Sequence, residues 1–106
     1  MYELHSNFFQ ISNAMFHYGL RPNAFTVYCY LVCCTGQKEK CWPSVRTIAK
    51  RCGISENTVR NAIKELEERG FISKVKTTWS GRNGKPRRGN NNYYILDLPS
   101  LTKDAV

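Results

Sequence analysis

Hydrophobic positions between Val45 and Lys64 recur at helical spacing in two short runs, which predict two helices joined by a tight turn. Val45, Ile48, Ala49 and Cys52 make the first stripe, and Val59, Ala62, Ile63 and Leu66 the second, each on one face of a helix. Pro43-Ser44 stops the preceding loop and offers a hydroxyl cap. Ala49 is small where the two helices must cross closely. Gly53 comes next as a residue able to take the left-handed turn conformation, with Ile54 plugging the turn. Ser55 then caps the second helix by accepting from the N–H of Asn57 or Thr58, and Gly70 ends it.

The flanking segments obey the same logic. Leu20-Arg21-Pro22-Asn23 opens a longer helix to about Thr35, with proline in the first turn where its missing N–H costs nothing. Ala24, Val27, Tyr28, Leu31, Val32 and Cys34 band it as scaffold, while Cys29, Tyr30 and Cys33 offer an alternative dimer seam. Thr35 to Lys40 is a polar connection, after which Trp42 is expected to fill a core gap. Phe71 to Lys76 and Asn92 to Leu96 alternate in the extended manner and predict two strands around one long loop, Thr77 to Asn91. At the N-terminus, Phe8-Phe9-Gln10-Ile11 reads as an edge strand, and Ser12 caps a brief helical turn through His17. Residues 97–106 lack a pattern and read as a frayed tail on which Leu98 and Leu101 offer docking. The division is therefore 1–19 N-terminal strand and turn, 20–70 helical core with the paired helices at 44–69, 71–96 hairpin, and 97–106 tail, all in one domain.

The face of the second helix opposite its apolar stripe carries Asn57, Arg60, Asn61 and Lys64. Two asparagines on an exposed helix face each cost about 0.5 kcal/mol relative to alanine and lack an evident structural reason. Further along, Glu65, Glu67 and Glu68 add negative charge that keeps this end off phosphate.

The run CWPSVRTIAKRCGISENTVRNAIKELEERGFISK, Cys41 to Lys74, resembles the winged helix-turn-helix domains of GntR-type bacterial regulators and, more closely, the helix-turn-helix modules of phage and plasmid replication proteins. The matching positions are Ile48, Ala49, Gly53, Ile54 and Val59, within about a third of the chain. The resemblance implies a mainly α fold with a small β-hairpin, a winged helix-turn-helix, and double-stranded DNA as partner.

Composition agrees. The 106 residues are 42% hydrophobic and suit one modest core with no separate ligand or ATPase domain. Of the 16 basic residues, 14 fall between residues 37 and 88, against 5 acids there, so the net charge of +8 belongs to the paired helices and the hairpin segment after them. The five cysteines are odd in number, come after no signal peptide and read as reduced, buried small hydrophobes of a cytoplasmic protein. No C-x-x-C pair occurs and His5 and His17 stand alone, so neither a metal nor another cofactor is expected. No apolar run approaches a membrane span.

Phosphate contact and base reading separate by residue type. Ser55, Lys50, Arg51, Lys64, Lys74 and Lys76, with Arg82, Lys85, Arg87 and Arg88 of the acid-free loop, are the phosphate and wing candidates. Asn57 and Asn61 have the paired donor and acceptor that suit adenine, and Arg60 can fork onto guanine. Glu56 either favours the helix N-terminus electrostatically or accepts from a cytosine amine. Trp79 is open between packing on the hairpin and resting against sugar or base. Neutralising about five to seven phosphates implies a slope of log affinity on log salt near −5 to −6.

The leading expectation is sequence-specific binding of double-stranded DNA by a transcriptional regulator of bacterial or mobile-element type, with a homodimer possible. The alternative is the DNA-binding module of a phage or plasmid replication initiator. A protein-interaction winged helix is a third reading, disfavoured by the basic face. No acidic pair, nucleophile elbow or phosphate loop supports an enzyme.

Overall fold

The computed structural model describes residues 8–80 and 86–100, with 78–80 and 86–88 described as backbone. A 3-10 turn, Asn13–His17, precedes three helices, α1 (Pro22–Thr35), α2 (Val45–Cys52) and α3 (Glu56–Glu68). Four short strands come after them: β1 (Ile72–Val75), β2 (Thr78–Ser80), β3 (Pro86–Arg88) and β4 (Asn92–Ile95). The architecture is mainly helical with a hairpin behind it, a winged helix-turn-helix.

Local chemistry sets each helix end. Ser44 and Ser55 are the N-caps of α2 and α3, their hydroxyls accepting from the N–H of Thr47 and Thr58 at 3.1 Å. Gly53 takes φ +71°, and the N–H of Ile54 donates back to Ala49 O at 3.1 Å, closing α2 in a Schellman motif. After α3, Gly70 N–H bonds to Glu67 O and Phe71 N–H to Leu66 O, which turns the chain directly into β1.

The core lies where the three helices meet. Val27 and Leu31 of α1, Ile48 of α2, and Val59 and Leu66 of α3 have no exposed surface; each fully buried side chain of this kind contributes about 1.5–3 kcal/mol. Ala49 is buried at the crossing of α2 and α3, as its size requires. Phe71 closes the core from below, with Tyr18 and Tyr28 edge-on to its ring at 4.9 and 5.9 Å.

β1 pairs antiparallel with β4 in the register Ile72↔Ile95 to Val75↔Asn92, and β2 pairs with β3 from Thr78↔Arg88 to Ser80↔Pro86. Within the expected long loop from Thr77 to Asn91, Thr78–Ser80 and Pro86–Arg88 form a second ladder, and Gly89 N–H donates to Thr77 O at 2.8 Å where the two ladders meet; residues 81–85 lie outside the described residues. The alternation expected over Phe71–Lys76 gives way to a gradient. Phe71 and Ile72 are both buried and Val75 and Lys76 both exposed, because the hairpin leaves the core end-on instead of lying across it.

Three further expectations are corrected. Phe8–Ile11 forms no strand: Phe8 and Phe9 are exposed, and the backbone partner beside β4 is Cys41, bridged to Tyr93. Trp42 does not fill the core but is 52% exposed, since the bridge at Cys41 carries the next side chain outward. The cysteines divide, with Cys41 buried, Cys33 exposed, and Cys29, Cys34 and Cys52 half-buried. Of the tail, Leu98 packs against the core and Pro99 O accepts from the Tyr18 hydroxyl, so the part up to residue 100 docks; Leu101 lies outside the described residues.

Among the described residues no helix is long and apolar enough to cross a membrane, and no three His, Cys, Asp or Glu side chains gather as a metal-binding group.

Candidate nucleic-acid interface

The apolar stripe of α3 turns Val59, Ala62, Ile63 and Leu66 inward, and the helical period leaves Asn57, Arg60, Asn61 and Lys64 exposed on the other side. That exposed face forms one wall of a groove of about 790 Å³. The hairpin base supplies the facing wall through Lys74, Lys76, Asn90 and Asn91, and the start of α2 closes one end at Pro43–Val45. Asn57, Arg60, Asn61, Lys64, Lys74 and Lys76, named from sequence, thus share a single concave surface.

Within that surface the charges are unequally free. Arg60 reaches Glu56 at 3.7 Å across one helical turn, with both side chains at least half exposed, a pairing that water screens heavily. Lys74 is half-buried and lies 3.8 Å from Glu67, so part of its charge is already answered within the fold. Glu65 is engaged by Arg21 and Arg69 on the side of α3 toward the N-terminal segment. Glu67 and Glu68 line the groove at the far end of α3, which concentrates positive potential at the first two turns.

Ser55 spends its hydroxyl on the cap, accepting from Thr58 N–H and bonding the Thr58 hydroxyl at 2.8 Å. Thr58 is accordingly local support for the helix start. Lys50 and Arg51 are exposed in the last turn of α2 and do not line the groove. The reason is the direction of α2, whose N-terminal end faces the groove while its C-terminal end turns toward α1. There Tyr30, pushed up to about 12 by burial and by a hydrogen bond with Cys34, also feels Arg51, which acts in the opposite direction. Arg87 and Arg88 belong to β3, and Arg82 and Lys85 lie outside the described residues.

In the sequence Asn90 and Asn91 stand only as the end of the long loop before the last strand, yet both line the groove. Asn90 Nδ2 donates to Trp42 O at 3.2 Å, and Asn91 Nδ2 donates to the Tyr93 hydroxyl at 3.3 Å. The available signal was three consecutive amide side chains beside a basic hairpin. Burial raises the Tyr93 phenol above its ordinary value and Asn91 opposes that shift, so Tyr93 is a neutral structural post under the groove.

The profile of the helix-turn-helix domain family matches residues 18–72, which spans α1, α2, α3 and the first residue of β1. Protein YmfN of Escherichia coli strain K12 is 32% identical over 56 residues, 53% of this chain but only 12% of that protein. The chain therefore spans about an eighth of the length of this curated relative. No solved structure gives a significant match. The likeness to GntR-type regulators is not among these matches, whereas the helix-turn-helix is, and it supports DNA as partner. With the family profile covering more than half of its length, this chain belongs to the helix-turn-helix domain family.

Proposed function

We propose that the chain binds double-stranded DNA sequence-specifically, with the first two turns of α3 in the major groove and the basic hairpin on minor groove or phosphates. The observation that carries this reading is the shared groove. Asn57, Arg60 and Asn61 project from one wall toward the lysines and asparagines of the other, with no buried role to explain them. Base-edge contact falls to Asn57, Arg60 and Asn61, with Glu56 setting the Arg60 guanidinium. Phosphate contact falls to Lys64, Lys76, the less free Lys74 and the hairpin arginines, with Lys50 and Arg51 serving only a more distant stretch of backbone.

The biological role that fits best is a transcriptional regulator of bacterial or mobile-element type, acting in the cytoplasm by binding alone and without catalysis. A second reading, the DNA-binding module of a replication initiator, gains support from the relative, in which the matched segment is a small part of a much longer protein. A homodimer through the Cys29, Tyr30 and Cys33 face of α1 belongs to the first reading.

Selection of bound fragments from a random duplex library, followed by titration at several salt concentrations, tests the proposal. One enriched motif and a log–log salt slope near −5 to −6 are expected. Equal binding of all sequences, or a flat salt response, overturns it. The location of the motif, at promoters or among repeated origin elements, separates regulator from initiator.

A further inference from the structure

Among the residues whose side chains are described, Trp42 is the largest left at the surface next to the groove. The backbone of Cys41 is bridged to Tyr93, and the Trp42 carbonyl accepts from Asn90, so the hairpin base anchors the main chain that carries the indole. An exposed indole forgoes most of the burial energy that an aromatic ring of its size supplies. The Lys38 ammonium sits 5.6 Å from the ring centroid. Around them is a hollow of about 330 Å³ walled by Lys38, Lys40, Trp42, Thr47 and Asn90.

This hollow adjoins the groove of α3, for Pro43, Ser44 and Asn90 belong to both. Among the described residues, its lining holds two cations and no acid. Glu39 is the single acid of the segment 36–42 and lies outside the lining.

We propose that Lys38, Lys40 and Trp42 form a second contact station for the duplex, taking the sugar-phosphate backbone that flanks the stretch read by α3. The indole edge and free face pack on deoxyribose, whose carbons are apolar, while the two ammonium groups answer the adjoining phosphates. Charge complementarity and adjacency to the α3 groove favour duplex DNA over an acidic protein. Lys38 lies over one ring face, so the other face alone is free for a sugar or a base, and the comparison of duplex with single strand below separates the two. The inference rests on the duplex-binding reading above and extends its footprint to the connection between α1 and α2.

The test uses the full chain with Trp79→Phe, which leaves Trp42 as the sole indole, and a mixed-sequence duplex of two helical turns at low salt. Acrylamide quenching of Trp42 should fall on saturation with the duplex. Independently, in the chain with both tryptophans, Lys38→Ala/Lys40→Ala should make the log–log salt slope shallower by about 2. Trp42→Ala should weaken binding several-fold at unchanged slope, its fold checked by circular dichroism. Unchanged quenching together with an unchanged slope, in a chain that still binds and still loses sequence preference on Asn61→Ala, overturns the station alone. Failure of the parent chain to bind duplex removes the α3 reading and this one with it. Stronger protection of Trp42 by a single strand than by duplex at equal occupancy also overturns the proposal. Should Trp79→Phe not fold, the salt slope of the lysine variant decides.

Discussion

Cys41 and Tyr93, 52 residues apart in sequence, exchange two backbone hydrogen bonds, Cys41 N–H to Tyr93 O at 3.0 Å and Tyr93 N–H to Cys41 O at 2.8 Å. The pair makes a one-residue third strand on β4 and sets the start of α2 against the hairpin base, where the groove ends. Its backbone role is separable from its side chain. Cys41→Pro deletes the donor and leaves the buried Tyr93 carbonyl short of a partner, at a cost of about 1–3 kcal/mol. Cys41→Ala keeps both backbone bonds and loses the buried sulfur with its weak hydrogen bond to Leu31 O, about 1 kcal/mol. Urea denaturation of the two variants checks the order; equal losses would assign the effect to packing.

Gly53 separates conformational strain from crowding. A Cβ built there meets nothing within 4 Å, so any cost of substitution comes from φ +71° alone. Gly53→Ala should cost about 1–2 kcal/mol and Gly53→Val more, because branching at Cβ narrows the accessible backbone further. Gly53→Asn should cost least of the three. Thermal melts that leave Gly53→Val unchanged would refute the left-handed turn.

Phe71 links the helices to the hairpin. Its ring is fully buried against Tyr18 and Tyr28, and its carbonyl accepts from Leu96 N–H at 3.1 Å. Phe71→Ala should lose about 3–5 kcal/mol through lost transfer energy and the cavity left behind. Phe71→Leu should lose less, and a melting series shows the order.

These residues also mark how far the sequence could be read. The helix ends at Ser44, Gly53, Ser55 and Gly70 were legible because capping and left-handed turns are local events with few residue types available. So was the outward set on α3, since one helical period fixes both faces. The Cys41–Tyr93 bridge was not, because a single paired residue has no alternation and its partner is remote. Trp42 is the consequence of that omission: composition suggested burial, and only the bridge turns it outward. The inner ladder of β2 and β3 was hidden by glycines and cations that also suit an unstructured loop.

The Glu56–Arg60 pair controls how freely α3 presents its guanidinium. Glu56→Gln should raise affinity for mixed-sequence duplex a few-fold, by removing a negative charge beside the phosphates, and move stability by less than about 0.5 kcal/mol. Arg60→Ala and Asn61→Ala should each lose about 1–3 kcal/mol on the selected site and relax preference at one base position. Lys64→Ala should instead weaken all sequences alike and make the salt slope shallower by about 1. Uniform losses for Arg60→Ala or Asn61→Ala would move those residues to the phosphate group.

Alkaline pH should unfold this protein through groups that the fold keeps neutral. Burial raises the thiols of Cys29, Cys41 and Cys52 above their ordinary value of 9.0. It likewise raises the phenols of Tyr28 and Tyr93 above 10.0 and pushes Tyr30 up to about 12. Each is an acid whose anion is disfavoured in the folded chain, so the unfolded chain gives up the proton first. Below the unfolded thiol value both states are protonated and the contribution to stability is fully present. As pH rises past 9.0 the unfolded state binds fewer protons than the folded one, and stability falls until the folded groups ionise in turn, Tyr30 last near 12. Urea midpoints under reducing conditions should therefore be level from about pH 7 to 8.5 and decline from about pH 9 upward. Cys41→Ala, Cys52→Ala and Cys29→Ala combined should delay the decline toward the tyrosine range. A midpoint that holds level through pH 11 in the parent chain would mean that these groups ionise as easily folded as unfolded.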